Sequence, residues 1–158
     1  MSKGSRKPKD PKDTYTKPSR LIAAAKAGEC ELIREYMEDP TKSIDINKVD
    51  SLGQSSMHWA AHSGYPNTIE TLVHYGGNVN LKDKVGETPL HKAAWKDKIQ
   101  TIAKLIELGA DVRIANDKGE TPFMIARSLE AKKLLYVSSV EFDDDEEDGG
   151  DSRDSDDD

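Results

Sequence analysis

The chain has 158 residues, a net charge of −7, a hydrophobic fraction of 35% and a mean hydropathy of −0.76, which fits one folded domain with polar ends. The charge sits in those ends: residues 1–20 carry +5 and residues 141–158 carry −11, which leaves 21–140 at −1. A single cysteine, Cys30, excludes an intrachain disulfide framework, no apolar run is long enough to span a membrane, and the basic start lacks the apolar stretch of a secretory signal. The cytoplasm, with the nucleus open to it, is the expected compartment.

Residues 1–19 are cationic and hold Pro8, Pro11 and Pro18, so they read as a disordered basic leader that is solvated or touches acidic groups weakly. A first helix pair follows in 20–49, with Leu21 to Ala27 ending at Gly28 and then Glu31 to Met37. About three extra residues lie in its Asp39 to Asp45 loop. It lacks a preceding turn and reads as a capping unit, with Arg20 and Lys26 keeping its outer side wet. The second unit, 50–82, runs through Ser55-Ser56-Met57-His58-Trp59-Ala60-Ala61 and a helix from Thr68 to Tyr75.

The third unit, 83–115, is the most regular. Gly86 supplies the positive φ of a tight turn, Thr88 is placed as N-cap and Pro89 as first helical residue. Leu90, Ala93 and Ala94 give the i, i+3, i+4 face of a short helix, and Ile102, Leu105 and Ile106 give the face of a second helix, Ile99 to Leu108, closed by Gly109. The fourth unit, 116–137, repeats Thr121-Pro122-Phe123 and has a short last helix, Glu130 to Val137. Lys132 and Lys133 in its stacking position imply that nothing packs beyond it. Residues 138–158 read as a disordered acidic tail.

Gly53, Gly86 and Gly119 lie 33 residues apart, His58 precedes His91 by the same interval, and Thr88-Pro89-Leu90 returns as Thr121-Pro122-Phe123. This period, with the Thr-Pro-Leu-His-x-Ala string at 88–93, resembles the ankyrin repeat. The resemblance implies an all-α ankyrin-repeat solenoid of about four helix-turn-helix repeats. Departures from its pattern are Ser56 for Pro, Met57 for Leu, Asp97 for the Gly that ends the first helix, Met124 for the repeated His and Arg127 for the second Ala. The strings His58-Trp59-Ala60-Ala61-His62-Ser63-Gly64 and Leu90 to Lys96, with the terminal Asp/Ser-rich run, are similar to the ankyrin part of osteoclast-stimulating factor. The SH3 domain of that family has no room in the 19 residues ahead of the first helix. This likeness implies a signalling adaptor. A second likeness, to small acidic-tailed ankyrin proteins that escort basic ribosomal proteins, implies an escort.

His58 and His62 stand at i, i+4, a spacing that can present two imidazoles to zinc, but no Glu follows His58 and His91 repeats its position. A repeated His is expected to satisfy backbone groups between turns. Cys30 has no evident base partner, and no phosphate loop, nucleophile elbow or paired-carboxylate pattern is present. No catalytic residue, metal or cofactor is therefore expected, and an enzyme is not.

What remains is surface. The resemblance places ligands on the concave side, made by turn tips and first helices: Ser51, Leu52, Gln54, His62 and Ser63; Lys82, Lys84, Val85, Glu87, Trp95 and Lys96; Asp117, Lys118 and Glu120. Trp95, one step past the stacking Ala94, is the expected anchor; Trp59, inside the packing segment, is expected to be structural. Lys82, Lys84, Lys96 and Lys118 suit an acidic partner or the chain's own tail. The expected function is a monomeric, non-enzymatic adaptor or scaffold that binds one or more proteins, with no nucleic acid and no membrane. The alternative is an escort whose acidic tail captures a basic ribosomal or histone-like protein, with Phe142 as an apolar anchor and Ser155, before three Asp, as a phosphorylation site.

Overall fold

Three segments enter their helices the same way. Ser55, Thr88 and Thr121 are extended, with φ of −93°, −95° and −88°, and each precedes the first residue of a helix. At two of the three that residue is proline, whose fixed φ suits the position and whose missing N–H has no partner to lose. The computed structural model describes residues 20–146, with side chains as far as 140. Its helices are α1 (20–27), α2 (Cys30–Glu38), α3 (Ser56–Ser63), α4 (Pro66–His74), α5 (Pro89–Trp95), α6 (Ile99–Glu107), α7 (Pro122–Ile125) and α8 (Leu129–Glu146).

These form an all-α solenoid of antiparallel pairs. α3, α5 and α7 stack in an inner layer, α2, α4, α6 and α8 in an outer one. Small residues let the inner helices approach: Ala24, Ala25, Ala60, Ala61, Ala93 and Ala94 are buried, against Ile33, Ile69, Leu72, Ile102, Leu105 and Leu135 from the outer helices. Each of those large side chains contributes roughly 1.5–3 kcal/mol on burial. No unit buries its faces alone.

Two polar ladders hold the units in register. At each turn the side-chain oxygen of Asp50, Asp83 or Asn116 accepts two backbone N–H groups, from Leu52 and Gln54, Val85 and Glu87, or Lys118 and Glu120. Neighbouring tips then join, Lys84 N–H donating to Leu52 C=O at 3.2 Å and Asp117 N–H to Val85 C=O at 3.0 Å. Below them, Ser55 N–H donates to His58 Nδ1 at 3.1 Å, so the ring hydrogen is on Nε2, which donates to Glu87 C=O at 2.8 Å. Thr88, His91 and Glu120 repeat this arrangement. The repeated histidines serve the backbone between turns, as their period implies.

Some expectations need correction or fall outside. The last helix does not stop at Val137 but runs to Glu146, so the boundary between repeats and tail falls inside α8. The reason lies in the sequence: no Gly or Pro stands between Pro122 and Gly149 to end it. Lys132 Nζ lies 5.9 Å from the centre of the Phe123 ring in the same unit, and Leu129 and Tyr136 on its helix are exposed. Asp97 has φ 59°, the left-handed value that Gly64 has at the equivalent point after α3. The basic leader 1–19, residues 147–158 and with them Ser155, and the side chain of Phe142 lie outside the described residues.

Ser56 stands where the later units have Pro89 and Pro122, and its buried hydroxyl has no hydrogen-bond partner. Ser55 has the extended conformation that a following proline requires. Ser56→Pro should therefore raise the unfolding free energy by about 1–2 kcal/mol, by removing an unsatisfied polar atom and restricting the unfolded chain. Chemical denaturation of both forms measures it; a loss of stability would refute the register.

Burial holds the imidazoles of His58 and His91 below their ordinary 6.5, against the opposing pull of their carbonyl partners. The unfolded chain takes up protons below pH 6.5 where the native one does not. Stability is thus full above pH 6.5 and falls below it, by at most about 1.4 kcal/mol per pH unit for each histidine. Denaturation midpoints between pH 7.5 and 5.5 should drop accordingly, and a flat profile would contradict neutral buried rings.

Candidate functional site

Because the tips are tied together and the inner helices are stacked, the side chains they present share one groove. It encloses about 680 Å³. Leu52, Gln54, Glu87, Lys118 and Glu120 line it from the turns, and Trp59, His62, Lys92, Trp95, Met124 and Ile125 from α3, α5 and α7. Of the surface residues expected from the sequence, Leu52, Gln54, His62, Glu87, Trp95, Lys118 and Glu120 thus come together. Ser51, Lys84, Val85 and Asp117 are exposed on the tips without lining the groove, Lys82 is exposed before its turn, Lys96 is exposed after Trp95, and Ser63 is half-buried at the end of α3.

Trp95 is 54% exposed, so the core does not need its ring. The guanidinium of Arg127 lies 5.4 Å from its centre. Leu52, 55% exposed, and Met124 offer further uncovered apolar surface on the same side. Trp59, expected to be structural, is half-buried and its indole N–H donates to Asp50 Oδ2 of the turn at 3.0 Å; its ring also meets that of His62 edge-on at 5.6 Å and lines the groove. Lys26 corrects its assignment to a wet outer side, since its Nζ sits 4.0 Å over the Trp59 ring on the inner one. Lys92 was not expected either. It follows His91, whose neighbour on a short helix turns toward the groove, and that register was the available signal.

The acidic groups in and beside the groove already have partners. Lys92 Nζ bridges Asp83 Oδ2 at 3.2 Å and Glu87 Oε1 at 2.8 Å. Burial opposes the charge on Lys92, but the two carboxylates outweigh it and raise its pKa. Burial likewise would raise Asp83 and Asp50, and the backbone N–H groups of the turns, with Lys92 for Asp83 and the Trp59 indole for Asp50, bring both below the usual carboxylate range. Asn116 Nδ2 donates to Glu120 Oε1 at 3.1 Å. His62 is held below its ordinary value first by burial and then by the charges of Lys96, Lys92, Lys98 and Lys26.

A second hollow of about 520 Å³ lies on the outer layer, lined by Cys30, Arg34, Asn67, Glu70, Thr71 and His74. The Cys30 thiol pairs there with Thr68 Oγ1 at 3.4 Å. Among the described residues no group of three or more His, Cys, Asp or Glu is gathered as a metal ion would need, and no helix is long and apolar enough to cross a membrane.

Set against known proteins, the chain matches the family model for ankyrin repeats in three copies over residues 6–83 and 63–148. No curated protein matches it, so the likeness to osteoclast-stimulating factor gains nothing from that comparison.

Replacing Lys92 by Met should destabilise the fold by about 2 kcal/mol at neutral pH, because the Asp83 side chain, 1% exposed, would keep its charge without a cation. Urea midpoints of the two proteins test this, and equal stability would show the bridge to be dispensable.

Proposed function

The chain belongs to the ankyrin-repeat family, whose repeats are protein-interaction modules, and we propose that it acts as an intracellular adaptor or scaffold seating a partner protein in the groove below its turn tips. The observation that supports this reading is Trp95. A large indole stands 54% exposed on a rigid inner helix, in a hollow whose other members include Trp59, Leu52 and Met124. Exposed apolar surface of that kind, rimmed by charge, is characteristic of binding sites rather than of inert surface.

A preformed groove on stacked helices also reduces the ordering that association requires. The residues that would contact a ligand are already fixed by the His58 and His91 hydrogen bonds and by the tip ladder, so less free energy goes into freezing side chains. No described residue performs chemistry in this reading; specificity comes from shape, indole surface and charge. The SH3-dependent side of the adaptor idea has no counterpart among the described residues.

Trp95→Ala should weaken binding of a partner isolated with the full chain by about 2 kcal/mol, roughly 30-fold, while leaving the thermal midpoint nearly unchanged. Isothermal titration with the purified partner reads the affinity and circular dichroism the fold. Unchanged affinity in the folded variant would move binding off the groove; loss of binding on removing the acidic tail instead, with Trp95→Ala silent, would favour an escort.

A further inference from the structure

The two layers of this solenoid carry their charge differently. On the inner side Lys26 covers Trp59 and Arg127 covers Trp95, with Lys118 at the rim and Lys96 exposed next to Trp95 in sequence. None of these cations is in an ion pair among the described residues, whereas of the groove's carboxylates Glu87 pairs with Lys92 and Glu120 accepts a hydrogen bond from the Asn116 amide. On the outer helices the charge is mixed: Glu31, Glu35, Glu38, Glu70, Glu107 and Glu130 are exposed there beside Arg34, Lys104, Lys132 and Lys133, and Arg34 and Lys104 are in ion pairs with those glutamates. The unpaired positive charge of Lys26 and Arg127 lies where the indole rings are.

We infer that the groove is built for an acidic segment of a partner protein, one in which carboxylates flank an aromatic or large aliphatic side chain. The inference rests on the groove being the binding surface and names the chemistry of what it binds. The apolar side chain fills the space between Trp59 and Trp95, whose rings carry Lys26 and Arg127; its flanking carboxylates meet those two cations together with Lys96. Cations already stacked on the rings hold their positions without a carboxylate partner, so they are oriented before the ligand arrives. A basic ligand meets uncompensated like charge at each of these points. The chain's own end offers carboxylates too, but its one aromatic residue, Phe142, stands within α8, continuous with the last repeat, and residues 147–158 beyond it contain no apolar side chain to engage the indoles. It supplies half of the ligand, and a partner supplies the whole.

The test uses the full-length protein and three fluorescein-labelled peptides of 12 residues: Asp and Glu around a central Phe, the same peptide with Phe replaced by Gly, and Lys and Arg around a central Phe. Fluorescence anisotropy should show saturable binding of the acidic Phe peptide, weakened about tenfold by the Gly replacement and about tenfold by raising salt from 50 to 300 mM. The double variant Lys96→Glu, Arg127→Glu should lower its affinity tenfold or more, while Arg34→Glu on the outer layer leaves it unchanged. Equal binding of the basic peptide, or indifference to the inner charge reversal in a variant with an unchanged circular dichroism spectrum, overturns the proposal. Unlabelled peptide 147–158 competing as well as the acidic Phe peptide also overturns it, since the occupant is then the chain's own end. If the natural partner is lost with Trp95→Ala but indifferent to Lys96→Glu, Arg127→Glu, the groove remains the binding surface and only its acidic ligand is refuted.

Discussion

The hydrogen bond from a histidine Nε2 to a carbonyl in the following turn is the constraint on which the rest depends. His58 reaches Glu87 and His91 reaches Glu120, both at 2.8 Å. One ring nitrogen accepts from the N-cap of its own helix while the other donates to the next unit, so a single buried side chain fixes the start of one helix and the height of the neighbouring turn. Protonation would abolish the accepting nitrogen, and burial keeps the ring neutral against the pull of the carbonyl that its other nitrogen reaches. The chain of bonds stops at Met124, which has the same place in the last unit and no hydrogen to donate. No further repeat turn follows it among the described residues.

The groove is a by-product of this constraint. Once the turns are suspended at a fixed height over the inner helices, residues just below the tips and one step past the stacking alanines have nowhere to go but into the space between. Glu87 and Glu120, whose carbonyls take the histidine bonds, have side chains that line it. Lys92, next in sequence to His91, is carried into the gap between Asp83 and Glu87. Structural and surface roles are thus interleaved residue by residue, so the charge of the inner layer can be set without disturbing the core. Salt bridges on the outer side, such as Lys104 with Glu107 at 3.3 Å, are exposed and contribute little.

How much of this was legible varies by residue. Asp97 was legible only as a departure at the place of Gly64 one period earlier; that it keeps the glycine's positive φ is seen in the structure. The N-caps and the buried alanine pairs followed from local pattern. The length of α8 did not, because charge density was read as disorder although no helix breaker stands before Gly149. That Trp59 also reaches the groove was not read, because its neighbours Met57, His58, Ala60 and Ala61 are buried, yet on a helix the residue between them points to the opposite face. Lys26 belongs to a unit without a turn, so no repeat position indicated that it would lie on Trp59.

The sequence by itself determined the repeat, its helices, the residues of the core and the hydrogen-bonding role of the histidines, because each depends on spacing within some 33 residues and on the properties of single side chains. Only the tertiary structure decided which exposed residues meet. Lys26 on Trp59 and Arg127 on Trp95 join residues from different units. Such pairs depend on how one unit is set against the next. That setting is a property of the stack, made by the buried faces and the bonds between turns, and no single repeat contains it.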